Sequence, residues 1–116
     1  MKVLFGHYRP ELVANGLANF LLRSSGLPEE DFKPVVKLFC PWGPATWLLT
    51  EIDPEDPDIA CGLGMGCPEL GNVSLSELAS VIGPGGLTIE RDVHFEADKP
   101  LSAYAEEARL HQRIIA

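Results

Sequence analysis

The stretch TEIDPEDPDIACGLGMGCPELG, residues 50–71, crowds carboxylates, two thiols and glycines together without a single lysine or arginine. A calcium loop would need oxygen ligands at alternating positions around a glycine-made turn. Asp53, Glu55, Asp56 and Asp58 offer the oxygens, but Pro54 and Pro57 stiffen the run and no glycine stands sixth, so a solvated, proline-braced loop accounts for the same residues. Zinc needs four nitrogen or sulfur ligands, usually including a closely spaced pair. Five residues separate Cys61 from Cys67, and Cys40, His7, His94 and His111 lie far away, so only tertiary convergence could build such a site. GLGMGCPELG fits neither G-x-G-x-x-G nor G-x-x-x-x-G-K-[ST] and carries no lysine to meet a phosphate. No metal and no cofactor is expected.

Catalysis has one further set of candidates. Cys67 with His94 could act as a nucleophile and its base, and His94 with Asp92 or Glu96 could move protons. A period of two runs from Thr88 to Ala97, placing Thr88, Glu90, Asp92, His94 and Glu96 on one strand face against Ile89, Arg91, Val93, Phe95 and Ala97. That face flanks His94 with two carboxylates. An exposed polar strand face explains the same pattern, and it is the reading preferred here.

The elements that must hold these groups follow from patterning. Pro10 suits a first helical turn, and Leu12, Val13, Leu17, Phe20 and Leu21 recur at helical spacing to an end near Gly26. VVKLF, residues 35–39, and ATWLLTEI, residues 45–52, read as an antiparallel hairpin turned by Pro-Trp-Gly-Pro. A short strand is expected at 58–63. Ser74 and Glu77 form a capping box before Leu75, Leu78, Val81 and Ile82, with Gly83 as the stop. A last helix starts with Ser102 as its N-cap and places Tyr104, Ala108 and His111 near one stripe. With 116 residues and no linker or repeat, residues 1–116 make one domain of α+β class: a small, mainly antiparallel sheet with about three helices.

Charge narrows the partner. The formal net charge is −8, and residues 38–90 contain eight acidic residues and no basic one, so the middle carries all of it. Such a region repels phosphate backbones, which are bound by exchanging counterions for Lys and Arg. Direct nucleic-acid binding and anchoring to an anionic membrane are disfavoured, and a basic protein surface, or a cation, is favoured. The first residues, MKVLFGHYRPEL, lack the long apolar run and cleavage site of an export signal. A cytoplasmic protein with reduced Cys40, Cys61 and Cys67 is expected.

From FKPVVKLFCPWGPATWLLTEIDPEDPDIACGLGMGCPELGNVSLSELASV to ERDVHFEADKPLSAYA, the chain resembles the bacterial domain-of-unknown-function family 2958 over roughly residues 8–113. The resemblance implies an accessory protein of plasmids, conjugative elements or other mobile DNA. One departure is DIACGLGMGC, a few residues shorter than the family's usual loop with its A-F-G-L-C-D-L-G pattern, so no role of that loop is carried over.

Trp42, between Pro41 and Gly43, is either an interface anchor or a cap on the core, and Trp47 belongs to the core. The expectation is a non-enzymatic interaction module of a mobile element. An anti-defence inhibitor, anti-CRISPR or antirestriction, would use Trp42, Glu51, Asp53, Glu55, Asp56, Asp58 and Glu69 to occupy the basic nucleic-acid-binding face of its target. The alternative is a small enzyme or a metal- or ligand-binding protein built on His94, Asp92, Glu96 or Cys67.

Overall fold

The computed structural model describes residues 6–64 and 69–116. Among these residues the architecture is α+β: three α-helices and a five-stranded, wholly antiparallel sheet of order β4-β3-β2-β1-β5. The strands are β1 (Val36–Phe39), β2 (Thr46–Ile52), β3 (Ile59–Gly64), β4 (Glu69–Ser74) and β5 (Glu90–Arg91). The helices are α1 (Arg9–Ser24), α2 (Leu75–Ser80) and α3 (Leu101–His111).

The expected hairpin is present. Val36 faces Leu49 and Phe39 faces Thr46, with the Cys40 amide donating to Ala45 O at 3.0 Å to close the turn. The strand expected at 58–63 is β3. Every β2 residue from Trp47 to Ile52 is buried, because the sheet is covered on both faces. Leu49 joins Leu12, Val36, Leu38, Trp47, Leu75 and Leu78 in one cluster. Its neighbour Leu48 points the other way and meets Leu63, Tyr104, Ala105 and Ala108 of the α3 side.

α1 ends in a Schellman motif: the Leu27 amide donates to Leu22 O at 2.9 Å, the Gly26 amide to Arg23 O at 3.0 Å, and Gly26 takes φ +72°. Its buried face departs from the expected apolar stripe. Leu12, Gly16 and Asn19 are buried, whereas Val13, Leu17 and Leu21 are exposed. The cause lies in β2, which outruns β1 beyond Leu49. The carbonyls left there need company, and α1 supplies it: Asn15 Nδ2 donates to Thr50 O at 3.0 Å, and Gly16 lies directly against Ile52 O.

Three further boundaries differ. The alternation at 88–97 yields only β5, with Ile82 and Thr88 joined in an isolated bridge; the Asp92 amide still reaches Lys37 O at 2.9 Å, but Asp92 Oδ1 and O accept from the His94 and Phe95 amides and turn the chain away from β1. α2 ends at Ser80, leaving Val81 and Ile82 exposed. Ser102 is not the N-cap of α3. Its amide and hydroxyl both bond to Asp31, at 3.1 Å for the amide, so a carboxylate from another segment caps that helix. Among the described residues no helix is long and apolar enough to cross a membrane.

Candidate functional site

The connection from β2 to β3 is fixed by its own carboxylates. Asp53 Oδ1 accepts from the Glu55 amide at 2.8 Å, and Asp56 Oδ1 accepts from the Asp58 amide at 3.1 Å. The Asp53 amide donates to Ile59 O at 2.8 Å and closes the loop. Asp58 is consumed at the start of α2, where it accepts from Ser74 Oγ at 2.7 Å, Ser76 Oγ at 2.9 Å and the Ser76 amide at 2.9 Å. These bonds hold its carboxyl below the ordinary range, Ser74 contributing most. The expected cap is present in part, since Ser74 Oγ accepts from the Glu77 amide at 3.3 Å. Asp58 completes it. Glu55, Asp56 and Glu77 remain exposed, and Asp53 is half-exposed.

Glu51 stands apart from that loop. The β2–β3 register shifts between Leu49 and Glu51, leaving Thr50 as the extra residue of a bulge. Regular alternation would put Glu51 beside Trp47 and Leu49 in the first cluster. The bulge turns it to the opposite face, where Glu51 pairs with Cys61 and Cys61 with Asn72. A carboxylate, a thiol and an amide therefore stand in one row across β2, β3 and β4.

This row floors a cleft of about 550 Å³, walled by Asn19 and Arg23 of α1, the segment Glu29–Phe32, and Leu101 of α3. Asn19, 3 % exposed, is its keystone. Its Nδ2 donates to Glu51 Oε2 at 2.7 Å and to Glu30 O at 3.2 Å, while its Oδ1 accepts from the Glu30 amide at 2.7 Å. Glu51 is 8 % exposed. Burial pushes its carboxyl above the ordinary range, the Asn19 bond opposing and Glu29 adding to the effect. Burial also drives the Cys61 thiol to about 11, helped by Glu51 and Asp53. A thiol so protonated is a poor nucleophile.

A second cleft, about 420 Å³, lies under α3 and gathers Asp92, His94 and Glu96 with Lys99, Tyr104 and Glu107. The three residues expected on one strand face do come together, but through a loop. Asp92 Oδ1 accepts from the His94 amide at 2.9 Å, and Oδ2 lies 3.5 Å from Lys37 Nζ. Lys99 pairs with Glu107 at 2.8 Å and sits 4.6 Å from the Tyr104 ring centroid. Tyr104 Oη donates to Asp98 Oδ1 at 3.1 Å. Among the described residues no three of His, Cys, Asp or Glu are placed to hold a metal ion.

Of the other expected residues, Trp42 is half-buried with its ring against Gly83, where a Cβ would come within 2.5 Å of Cδ2, so its indole caps the core. Cys67 and the side chain of Glu69 lie outside the described residues. Cys40 and Cys61 are free thiols. Sequence reasoning missed Asn19 and Asn72, both polar residues inside otherwise unremarkable elements. The signal for Asn19 was an amide among the apolar residues of the first helix.

A family model described as "Protein of unknown function (DUF2958)" matches residues 7–115, nearly the whole chain. The chain belongs to this family. No curated protein and no solved structure matches it. The segments of this chain that carried the resemblance map onto the parts just described: PVVKLF onto β1, ATWLLTE onto β2 with its bulge, DPEDPD onto the carboxylate-braced loop, and VSLSEL onto the capped start of α2.

Proposed function

We propose that this chain is a small non-enzymatic interaction module of a mobile genetic element that docks in the cytoplasm on the basic nucleic-acid-binding face of another protein, such as a restriction or CRISPR effector. The observation that carries this reading is the braced loop at 53–58. Its aspartates bond to its own backbone, so Glu55 and Asp56 are held out on a fixed frame, and residues 38–90 supply no cation to neutralise them. Fixed uncompensated charge steers association with an oppositely charged surface. Asp58 and Glu51 have structural partners and leave the docking face to Asp53, Glu55, Asp56 and Glu77. The apolar anchor passes from Trp42 to Ile82, which is 72 % exposed at the far end of α2.

The variant Glu55→Gln/Asp56→Asn/Glu77→Gln removes three charges, while Asn at 56 keeps an oxygen for the Asp58 amide. Tagged wild type and variant are used in parallel to capture partners from the host, with elution at low and then high salt. The expected result is a nucleic-acid-binding complex retained by wild type, released by salt and lost from the variant. Recovery of the same proteins by both chains removes the electrostatic basis of the reading.

A second reading is favoured by the cleft under α3, where Asp92, His94 and Glu96 meet Lys99 and Tyr104 as a ligand or catalytic site would require. A His94→Ala chain that folds normally but loses its effect in cells supports that reading over the first.

A further inference from the structure

The row Glu51–Cys61–Asn72 has no task in the docking face just proposed, yet the fold spends a bulge and a buried amide on arranging it. Glu51 is more than nine-tenths buried, and Asn19 occupies only Oε2. No described residue donates a hydrogen bond to Oε1. Oε1 is not sealed from solvent, since it is absent from the buried side-chain atoms that lack a partner, so it opens into the cleft where an incoming donor can reach it. Arg23, the one cation among the described residues of the wall, is tied to Glu29 at 2.8 Å. Asp31 is committed to the start of α3, and Glu30, an exposed residue of the cleft lining, holds Asn19 through its backbone amide and carbonyl. The cleft is therefore open and anionic, with oxygen acceptors at its floor and rim and an amide at Asn72. A volume of about 550 Å³ exceeds what one long side chain fills.

We propose that the Glu51 cleft is a receptor for a guanidinium or ammonium group, which donates to Glu51 Oε1 and is flanked by Asn72 and the Glu30 carboxylate. Such a cation binds the oxygen that opens into the cleft and offsets the charge that burial penalises. A planar guanidinium suits the site best, since several N–H groups can reach floor and rim together. The source of the cation is a side chain of the basic partner or a free small cation. The first source rests on the function proposed above, and the receptor itself does not.

The test titrates the isotopically labelled full chain with N-acetyl-arginine methylamide, and in parallel with the citrulline analogue, which keeps the shape and loses the charge. Saturable NMR shifts are expected at the Asn19 side-chain amide and at the Cys61 and Asn72 backbone amides, with the arginine probe alone. Glu51→Gln retains an acceptor for Asn19 and should weaken binding about tenfold or more, as loss of a charged hydrogen bond does. Equal binding of the citrulline analogue, or shifts confined to other regions, overturns the proposal. Should Glu51→Gln fail to fold, wild type alone decides. Saturating probe should draw the Glu51 carboxyl titration back toward the ordinary range, and an unchanged titration overturns the receptor.

Loss from Glu51→Gln of the partner that wild type captures assigns the cation to that partner. Retention of the partner alongside probe binding assigns it to a small molecule. Absence of probe binding overturns the receptor and leaves the salt-dependent capture to be judged by itself.

Discussion

Replacing Gly16 by Ala sets two physical rules against each other. A glycine inside an exposed helix is usually improved by alanine, by about 0.5–1 kcal/mol, because the unfolded chain loses freedom. Here the added Cβ would lie 1.7 Å from Ile52 O and 2.8 Å from its carbonyl carbon, both backbone atoms that no rotamer change can clear. α1 must withdraw from β2 by more than an ångström. Overpacking of this kind costs about 1–3 kcal/mol, and withdrawal also strains the Asn15 bond to Thr50 O, worth about 1 kcal/mol. Subtracting the propensity gain leaves a net loss of about 1–3 kcal/mol. With a urea m value of about 1.5 kcal/mol/M, the midpoint should fall by about 1–2 M at unchanged m. Gly71→Ala is the control, since a Cβ there meets nothing within 4 Å and the backbone is ordinary; its midpoint should stay level or rise slightly. A Gly16→Ala chain as stable as wild type would refute the account of how α1 docks on the free end of β2.

Two further outcomes concern carboxyl groups with opposite signs. Glu51 has a folded-state pKa raised above its ordinary 4.5, so the folded chain binds the extra proton and stability falls as pH rises through that window. Glu51→Gln should remove this decline in urea midpoints measured from pH 4 to 7, and identical pH profiles for the two chains would contradict it. Asp58 is held below its ordinary 3.8, so its contribution is full above that value and is lost as pH falls through the lower folded pKa. Asp58→Ala should lower the melting temperature at pH 7 and narrow its gap to wild type at pH 3. Asp58→Asn should recover part of the loss, because its one oxygen can still accept from the Ser76 amide. Equal melting temperatures for wild type and Asp58→Ala at pH 7 would remove the capping role.

The α+β class, the β1–β2 hairpin, β3 and the Ser74 start of α2 were legible in the sequence because each rests on local chemistry. Strand patterning and a capping serine act over a few residues. The charge asymmetry was legible too, being a property of composition. The candidate site was not. Regular alternation assigns Glu51 to the face of Trp47 and Leu49, and only the bulge at Thr50 turns it into the cleft beside Cys61. Bulges depend on what covers each face of the sheet, which no window of residues contains. Apolar spacing likewise selected Val13, Leu17 and Leu21 as the buried face of α1. Tertiary structure decided for Leu12, Gly16 and Asn19, because β2 carbonyls beyond the end of β1 needed donors and a close backbone approach. The alternation at 88–97 failed because Asp92 turns the chain: its Oδ1 and carbonyl accept from the His94 and Phe95 amides, a local bonding pattern that alternation does not register. Composition and local pattern thus determined the class, most of the elements and the acidic middle. Packing alone decided which polar groups were buried, and with them the cleft over Glu51.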